Sequence, residues 1–376
     1  MQLATFRRRR NRHLSAVVGL IATVGIFVAP FATGAALADE DQNSGSVYTM
    51  TNAAGGNSVL VFHRQADGTL SAAGAFATGG DGSGAGLGSG HSITESADGR
   101  RVIVVNAGSN SISAFAVRHD GLDLIGTAPS GGSHPTSVAI HDDVVYVMNA
   151  GSGSIAGFKL RDESLLPIPG SIQPLGTGTS ADSQIQFNRD GRVLIVDERG
   201  GSGTIDTFLV DEDGVARHVQ TIASSAGGPF GFDVDRAGHV LFSNTALGGG
   251  LMSGATSYDV NHLGILTPNG GPVTSGQAAA CWLAAAGRFA YTDNAGSGSV
   301  GRFAVADDGS LSLIGTTVVG AGSHPLDEGV SANQKYLYVL ADGLHQIVGY
   351  RVGADGSLNQ VTSIGVPTGA IGIGAH

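Results

Sequence analysis

The sequence predicts an all-β chain folded as a seven-bladed β-propeller, with four-stranded antiparallel blades and a ring closed by the C-terminal strand. Three observations carry this. First, the segment VVNAGSNSISAFAV (Val104 to Val117) recurs as VMNAGSGSIAGFKL from Val147 and TDNAGSGSVGRFAV from Thr292, with looser copies from Met50, Val196 and Val339. Each copy reads as apolar strand, Gly/Ser turn and alternating strand, a β-hairpin signature. Second, an aromatic falls near the same place in each second strand: Phe62, Phe115, Phe158, Phe208, Tyr258, Phe303 and Tyr350. Third, units beginning near His91, His134, Ser180, Pro229, Ala278, His324 and Ile371 are spaced by 43, 46, 49, 49, 46 and 47 residues. A period in the forties with four short strands per unit is that of a propeller blade.

Before the repeats, residues 1–38 read as an export signal. Arg7–Arg10 and Arg12 form a basic start, Leu14–Ala29 is apolar, and Ala36-Leu37-Ala38 is a cleavage site before Asp39. The apolar run is short for a membrane anchor and is followed by Pro30 and Gly34. The export route, general or twin-arginine, stays open. Residues 39–46 form a short linker, and 47–376 one propeller domain. Five of the 20 basic residues and none of the 31 acidic ones lie in the signal, so the mature chain balances 15 against 31. That acidity disfavours nucleic acid and anionic membranes, and no membrane insertion is expected after cleavage. The single cysteine, Cys281 in AAACWLAAA, excludes an internal disulfide and reads as a buried apolar residue.

Within the second unit, strands are expected at Ser92–Glu95, Arg101–Val105, Ser111–Val117 and Leu122–Gly126. Asp98-Gly99 and Asp120-Gly121 mark turns, as do Asp67-Gly68, Asp190-Gly191, Asp213-Gly214, Asp308-Gly309 and Asp355-Gly356. Asp-Gly suits a tight hairpin better than a calcium loop, because φ > 0 costs Gly nothing. The chain enters at Val47 on a second strand and ends in GAIGIGAH, a first strand with no blade after it. The last strand is therefore expected to complete the first blade and remove an exposed sheet edge.

Chemistry is expected on the face where the chain enters first strands and where second strands turn into third ones. That face gathers His91, His134, Asp182, Gln184, Gln277 and His324, with Asp327 and Glu328 just after. It also gathers Asn52, Asn106, Asn149, Glu198, Arg199, Asn244 and Asn294. The Gly-rich loops Gly79–Gly90 and Leu247–Gly254 are candidate lids there. The Asn of NAGS reads as a turn residue tolerating αL, and the Ser-His-Pro histidines as repeat-encoded turns or as imidazoles converging on the axis. Glu198-Arg199 and Asp327-Glu328 depart from the repeat, the latter pair being the best acid/base candidate.

The repeats resemble the seven-bladed lactonase family that includes 6-phosphogluconolactonase and carboxymuconate cyclase. The resemblance runs from Val47 to His376, through VYTMTNAAGGNSVLVFHRQADGTLSAAG, DGRRVIVVNAGSNSISAFAV and the closing GAIGIGAH. It implies seven blades, C-terminal closure and a lactone substrate. The chain departs from the family where the fourth blade should open with His, here Ser183, and the fifth with Gly-Pro-Arg-His, here Gly228-Pro229-Phe230-Gly231. The Asn-Glu that follows is Asn244-Thr245. Losing the Arg removes the usual bidentate partner of an anionic lactone.

The expected function is therefore hydrolysis of a lactone or cyclic ester in the axial pocket by a secreted monomer, with no cofactor and no metal. His134 or His324 would be base, Asp327 or Glu328 its orienter, and Asn149 or Gln184 the carbonyl polariser. His91, Asp182, Glu198, Arg199 and Gln277 would complete substrate binding. The alternatives are a non-catalytic extracellular scaffold using the same face, and a metal-dependent enzyme.

Overall fold

The computed structural model describes residues 44–161, 164–176, 184–199, 203–245 and 253–376, and these form seven antiparallel sheets around an axis. The innermost strands are Ile371–Ala375, Ile93–Glu95, Pro135–His141, Ile185–Phe187, Pro229–Val234, Ala280–Ala286 and Pro325–Val330, for blades 1 to 7 in turn. Each is followed outward by the next three strands of its unit, except in blade 1. There the C-terminal strand pairs with Gly45–Met50, matching Val47 with Ala375 and Tyr48 with Gly374. Blades 3 and 5 carry one extra short strand each, Gln173–Pro174 and Val273–Thr274. One 3₁₀ turn, Asp342–Leu344, is the only helical element among the described residues. The signal region and the loop 247–252 lie outside them.

The expected strands of blade 2 are observed as Ile93–Glu95, Arg101–Asn106, Ser111–Arg118 and Gly121–Pro129. Second strands read as continuous apolar runs because both their faces meet neighbouring blades. Val102, Ile103, Val104 and Val105 are all fully buried. The seven Asp-Gly pairs named above are turns with Gly at positive φ, for example 89° at Gly68 and 77° at Gly356. Three of these turns do more. Tyr146, Tyr291 and Tyr338, each on a second strand, donate their hydroxyls to the carbonyls of Gly214, Gly356 and Gly68 at 2.7, 3.3 and 2.9 Å. Each bond crosses to the next blade, the last one over the point of ring closure.

Two expectations need correction. Asn106, Asn149 and Asn294 are not αL turn residues. They are fully buried, and their amides hold hairpin and loop groups: Asn106 reaches Ser113 Oγ at 2.8 Å and Asn149 the Ser130 carbonyl at 3.1 Å. The αL conformation falls later in the turn, at Asn110, Gly153 and Gly298. The Gly79–Gly90 loop is not a free lid. Asn52 binds Ser83 N–H and the Ala85 carbonyl at 2.8 and 2.6 Å, and Leu87 is buried.

Tyr338→Phe should destabilise the protein by about 1–2 kcal/mol, because it leaves the buried Gly68 carbonyl without its donor. Chemical denaturation of the folded domain measures this. An unchanged midpoint would mean that the hydroxyl bond does not help to hold the ring closed.

Candidate active site

An innermost strand is a sheet edge, and its outward N–H groups face the axis with no neighbouring strand to receive them. In this chain polar groups reach across every seam to serve them. Ser137 Oγ accepts from Ile185 N–H at 3.1 Å between blades 3 and 4. Gln184 exchanges two bonds with the Phe232 backbone, and Gln186 donates to Asp233 at 2.9 Å, between blades 4 and 5. Asp233 accepts from Ala285 N–H at 2.9 Å and Glu328 from Ala284 N–H at 3.1 Å, so both bind blade 6. Asp327 and Glu95 take the backbone N–H groups of Ile373 and Ala375 on either side of blade 1. The His91 carbonyl accepts from Val138 N–H at 2.8 Å between blades 2 and 3. Gly374 makes room for one of these carboxylates, since a Cβ there would meet Glu95 Oε2.

This ring encloses a cavity of about 390 Å³ on the axis, with His91, Glu95, Gln186, Asp233 and Glu328 in its wall. Its mouth is formed by turns between first and second strands, with Ala97, Arg236, Gly287 and Gln334. This is the opposite face from the one expected to carry chemistry. Toward that expected face the axis is filled. A Cβ on Gly90 of blade 2 would lie 3.4 Å from Trp282 of blade 6, so the indole spans the channel. Phe230 meets it edge-on at 4.9 Å, and the Arg199 guanidinium covers Phe230 at 4.5 Å. Cys281 packs with them, buried, its thiol pushed up to about 12 by burial.

The sequence-predicted residues divide accordingly. His134 and His324 are exposed, at φ 52° and 41°, in turns ahead of Pro135 and Pro325. The structure does not bring them to the cavity. Strand register gives the reason: Ile93 pairs with Val104 and Val138 with Val147, so His91 corresponds to Thr136 and not to His134. His91 therefore sits two residues deeper, partly buried in the wall. Asp327 and Glu328 are both buried, but the strand sends them to opposite neighbours, blade 1 and blade 6, rather than making a side-chain pair of them. Asn149, Gln184 and Glu198 are buried in hydrogen bonds to Ser130, Phe232 and Thr204. Gln277 accepts from Ser299 Oγ at 3.2 Å on the other face. Asp182 and Ser183 lie outside the described residues. The sequence alone does not point to Glu95, Gln186, Asp233 or Asp293. Gln186 and Asp233 are the only side chains with polar atoms in their strands, Ile185–Phe187 and Pro229–Val234, whereas Glu95 and Asp293 share theirs with other polar residues.

Electrostatics follow from burial. Glu95 is pushed up to about 7, chiefly by burial and only partly offset by the Ala375 N–H. His91 is pushed down by burial, which keeps its imidazole neutral, with Asp233 acting against the shift. Asp327, Glu328 and Asp293 are all held well above the carboxylate range by burial. His91 Nδ1 and Glu95 Oε2 have no hydrogen-bond partner. Among the described residues no group of three or more His, Cys, Asp or Glu is placed to hold a metal ion.

A sequence model described as "Lactonase, 7-bladed beta-propeller" matches residues 41–168, which bears out the resemblance over that part of the chain. The fold is also similar to the periplasmic gluconolactonase of Pseudomonas aeruginosa, at 17% identity and TM-score 0.69, covering 86% of this chain and 97% of that one. A candidate 6-phosphogluconolactonase of Bacteroides fragilis aligns at 20% identity and TM-score 0.67, covering 88% and 97%. No curated protein sequence matches the chain. At these identities the two structures show the fold alone. No helix among the described residues is long and apolar enough to cross a membrane.

Because the Glu95 value when folded exceeds the ordinary carboxyl value of 4.5, its burial is least costly below that pH. Stability is lost as pH rises from there through about 7, up to about 3 kcal/mol in all. Glu95→Gln keeps an acceptor for Ala375 N–H and removes the ionisation. Its melting temperature should therefore gain on the wild type steadily between pH 4.5 and 7 and level off above. A difference independent of pH would show that Glu95 ionises as freely in the folded chain as in the unfolded one.

Proposed function

We propose that this propeller is an exported lactonase-type hydrolase acting on a neutral lactone in the axial cavity. The observation that carries the reading is the meeting, in one small enclosed space, of a carboxyl titrating near 7 with a neutral imidazole. Glu95 Oε2 and His91 Nδ1 both lack protein partners there. A base with a pKa near the working pH balances availability against strength. Glu95 takes the proton of a water as its oxygen attacks the lactone carbonyl carbon. His91, next to Asp233, holds the water or the substrate by a hydrogen bond.

The charge of the site supports a neutral substrate. Its wall offers Glu95, Asp233 and Glu328, and Arg236 stands at the mouth, exposed. Nothing in the wall matches the bidentate clamp that a phosphorylated lactone needs. The gluconolactonase named above is a periplasmic protein, which agrees with export by the basic-then-apolar segment 1–38. A binding scaffold would instead present a broad face with exposed aromatic residues or apolar patches. The exposed large apolar residues among those described are aliphatic, such as Leu124, Leu166 and Val318.

The test is turnover of neutral and phosphorylated lactones by the mature chain. The wild type should open the neutral ones, with kcat/KM rising through about pH 7 as Glu95 loses its proton. Glu95→Gln should lose about 10²-fold or more, and His91→Ala somewhat less. Preference for the phosphorylated lactone, or full activity in Glu95→Gln, would overturn the assignment.

A further inference from the structure

Behind the wall of the cavity, at the seam of blades 6 and 7, a second carboxyl meets Glu328. Asp293 lies on the second strand of blade 6, Phe289–Asn294, paired in register with Trp282. It is fully buried, and neither of its oxygens receives a bond from any N–H or O–H group. Glu328 is 5% exposed; its Oε1 takes the Ala284 N–H and its Oε2 has no such donor. What remains to each is the other, and the two side chains are in hydrogen-bond contact. Two carboxylates in contact within a dry seam cannot both be ionised, and one proton held between them supplies the missing bond. The titratable neighbours are Asp327, Tyr291, Tyr350 and Cys281, none of them cationic. Across the cavity stand His91, Glu95 and Asp233. Burial and the neighbouring Asp327 raise both members of the pair, which keeps the proton in place at neutral pH.

Resting on the hydrolytic reading, we infer that Glu328 and Asp293 form a proton-sharing dyad that acts as the general acid for ring opening. Glu328 is the catalytic member, because it lines the cavity; Asp293 is a positioning residue behind it. Glu95 stands at the seam of blades 1 and 2 and Glu328 at the seam of blades 6 and 7, both in the wall of the one cavity, so base and acid approach a bound lactone from two sides. Water oxygen bonds to the carbonyl carbon and its proton passes to Glu95. The ring C–O bond then breaks, and the leaving alkoxide takes the proton of the dyad. The product is the hydroxy acid, and transfer from Glu95 through solvent restores the dyad.

The acid role has a signature that a packing role lacks. An alkyl lactone expels a strongly basic alkoxide and needs the proton, whereas an aryl lactone such as dihydrocoumarin expels a phenoxide and needs it far less. Glu328→Gln and Asp293→Asn, both near-isosteric, should lose at least tenfold more activity on a sugar γ-lactone than on dihydrocoumarin. The wild-type rate on the γ-lactone should fall at alkaline pH as the dyad ionises. Infrared spectra in D₂O should show a protonated-carboxyl band at neutral pH in the wild type that weakens in each variant. Equal losses on the two substrates would overturn the acid role. Absence of the band would overturn the shared proton whatever the turnover. A wild type inert toward both lactones would instead remove the hydrolytic reading, and the acid role with it, while weakening of the band in both variants would still decide whether the pair shares a proton.

Discussion

The innermost strand of each blade has one edge without a partner, and the rest of the molecule is arranged around that fact. A closed ring protects the outer edges of a propeller poorly and its inner edges only by confinement. Here the confinement is chemical. Side chains from Ser137, Gln184, Asp233, Glu328, Asp327 and Glu95, with the His91 carbonyl, occupy the exposed N–H groups seam by seam. A buried amide left unserved costs on the order of 1–3 kcal/mol, so the ring of acceptors is needed for stability before it is needed for anything else. Acids serve well as such acceptors, and the same burial raises their proton affinity. The candidate chemistry of the axis is in this sense a by-product of closing it.

The aromatic filling toward the other face gives the cavity its shape. Trp282 lies across the channel, Phe230 packs against it, and Arg199 covers Phe230. The family pattern places Arg and His where this chain has Phe230 and Gly231. Gly231 in turn lies against the Cys281 carbonyl and Trp282 Cα, where even a Cβ would sit at 3.0–3.1 Å. The exchange of cation for ring is thus coupled to the close approach of blades 5 and 6. In this chain Phe230 joins Trp282 and Cys281 in a hydrophobic plug.

Much of the fold was legible in the sequence because a blade is a local object. Strand, Asp-Gly turn and alternating strand repeat within fewer than fifty residues, and GAIGIGAH reads as a first strand, which the structure pairs with Gly45–Met50 in blade 1. The site was less legible because it depends on registers between strands. The pairing of Pro135 and Ser137 contains an irregularity that pushes His134 outward, as does that of Pro325 and Asp327 for His324. String similarity among the three histidines concealed a two-residue difference in depth. The adjacent acids Asp327 and Glu328 looked like a pair, but neighbouring strand residues point apart. The partner of Glu328 is Asp293, in the TDNAGS copy where the two other NAGS copies carry Val105 and Met148 and the looser copy from Val196 carries Asp197. That substitution was visible; its meaning required knowing that it faces the next blade.

The C-terminal strand has a consequence for how the protein comes into being. It supplies the N–H groups that Glu95 and Asp327 bind, and it pairs with the first strand of the domain. Until residue 375 has been made and has crossed to Gly45–Met50, six complete blades would stand around an open gap with two carboxyls unserved. Synthesis of the last strand must therefore finish before the cavity exists. A chain clipped by a few residues here would leave the first blade one strand short and open to proteolysis.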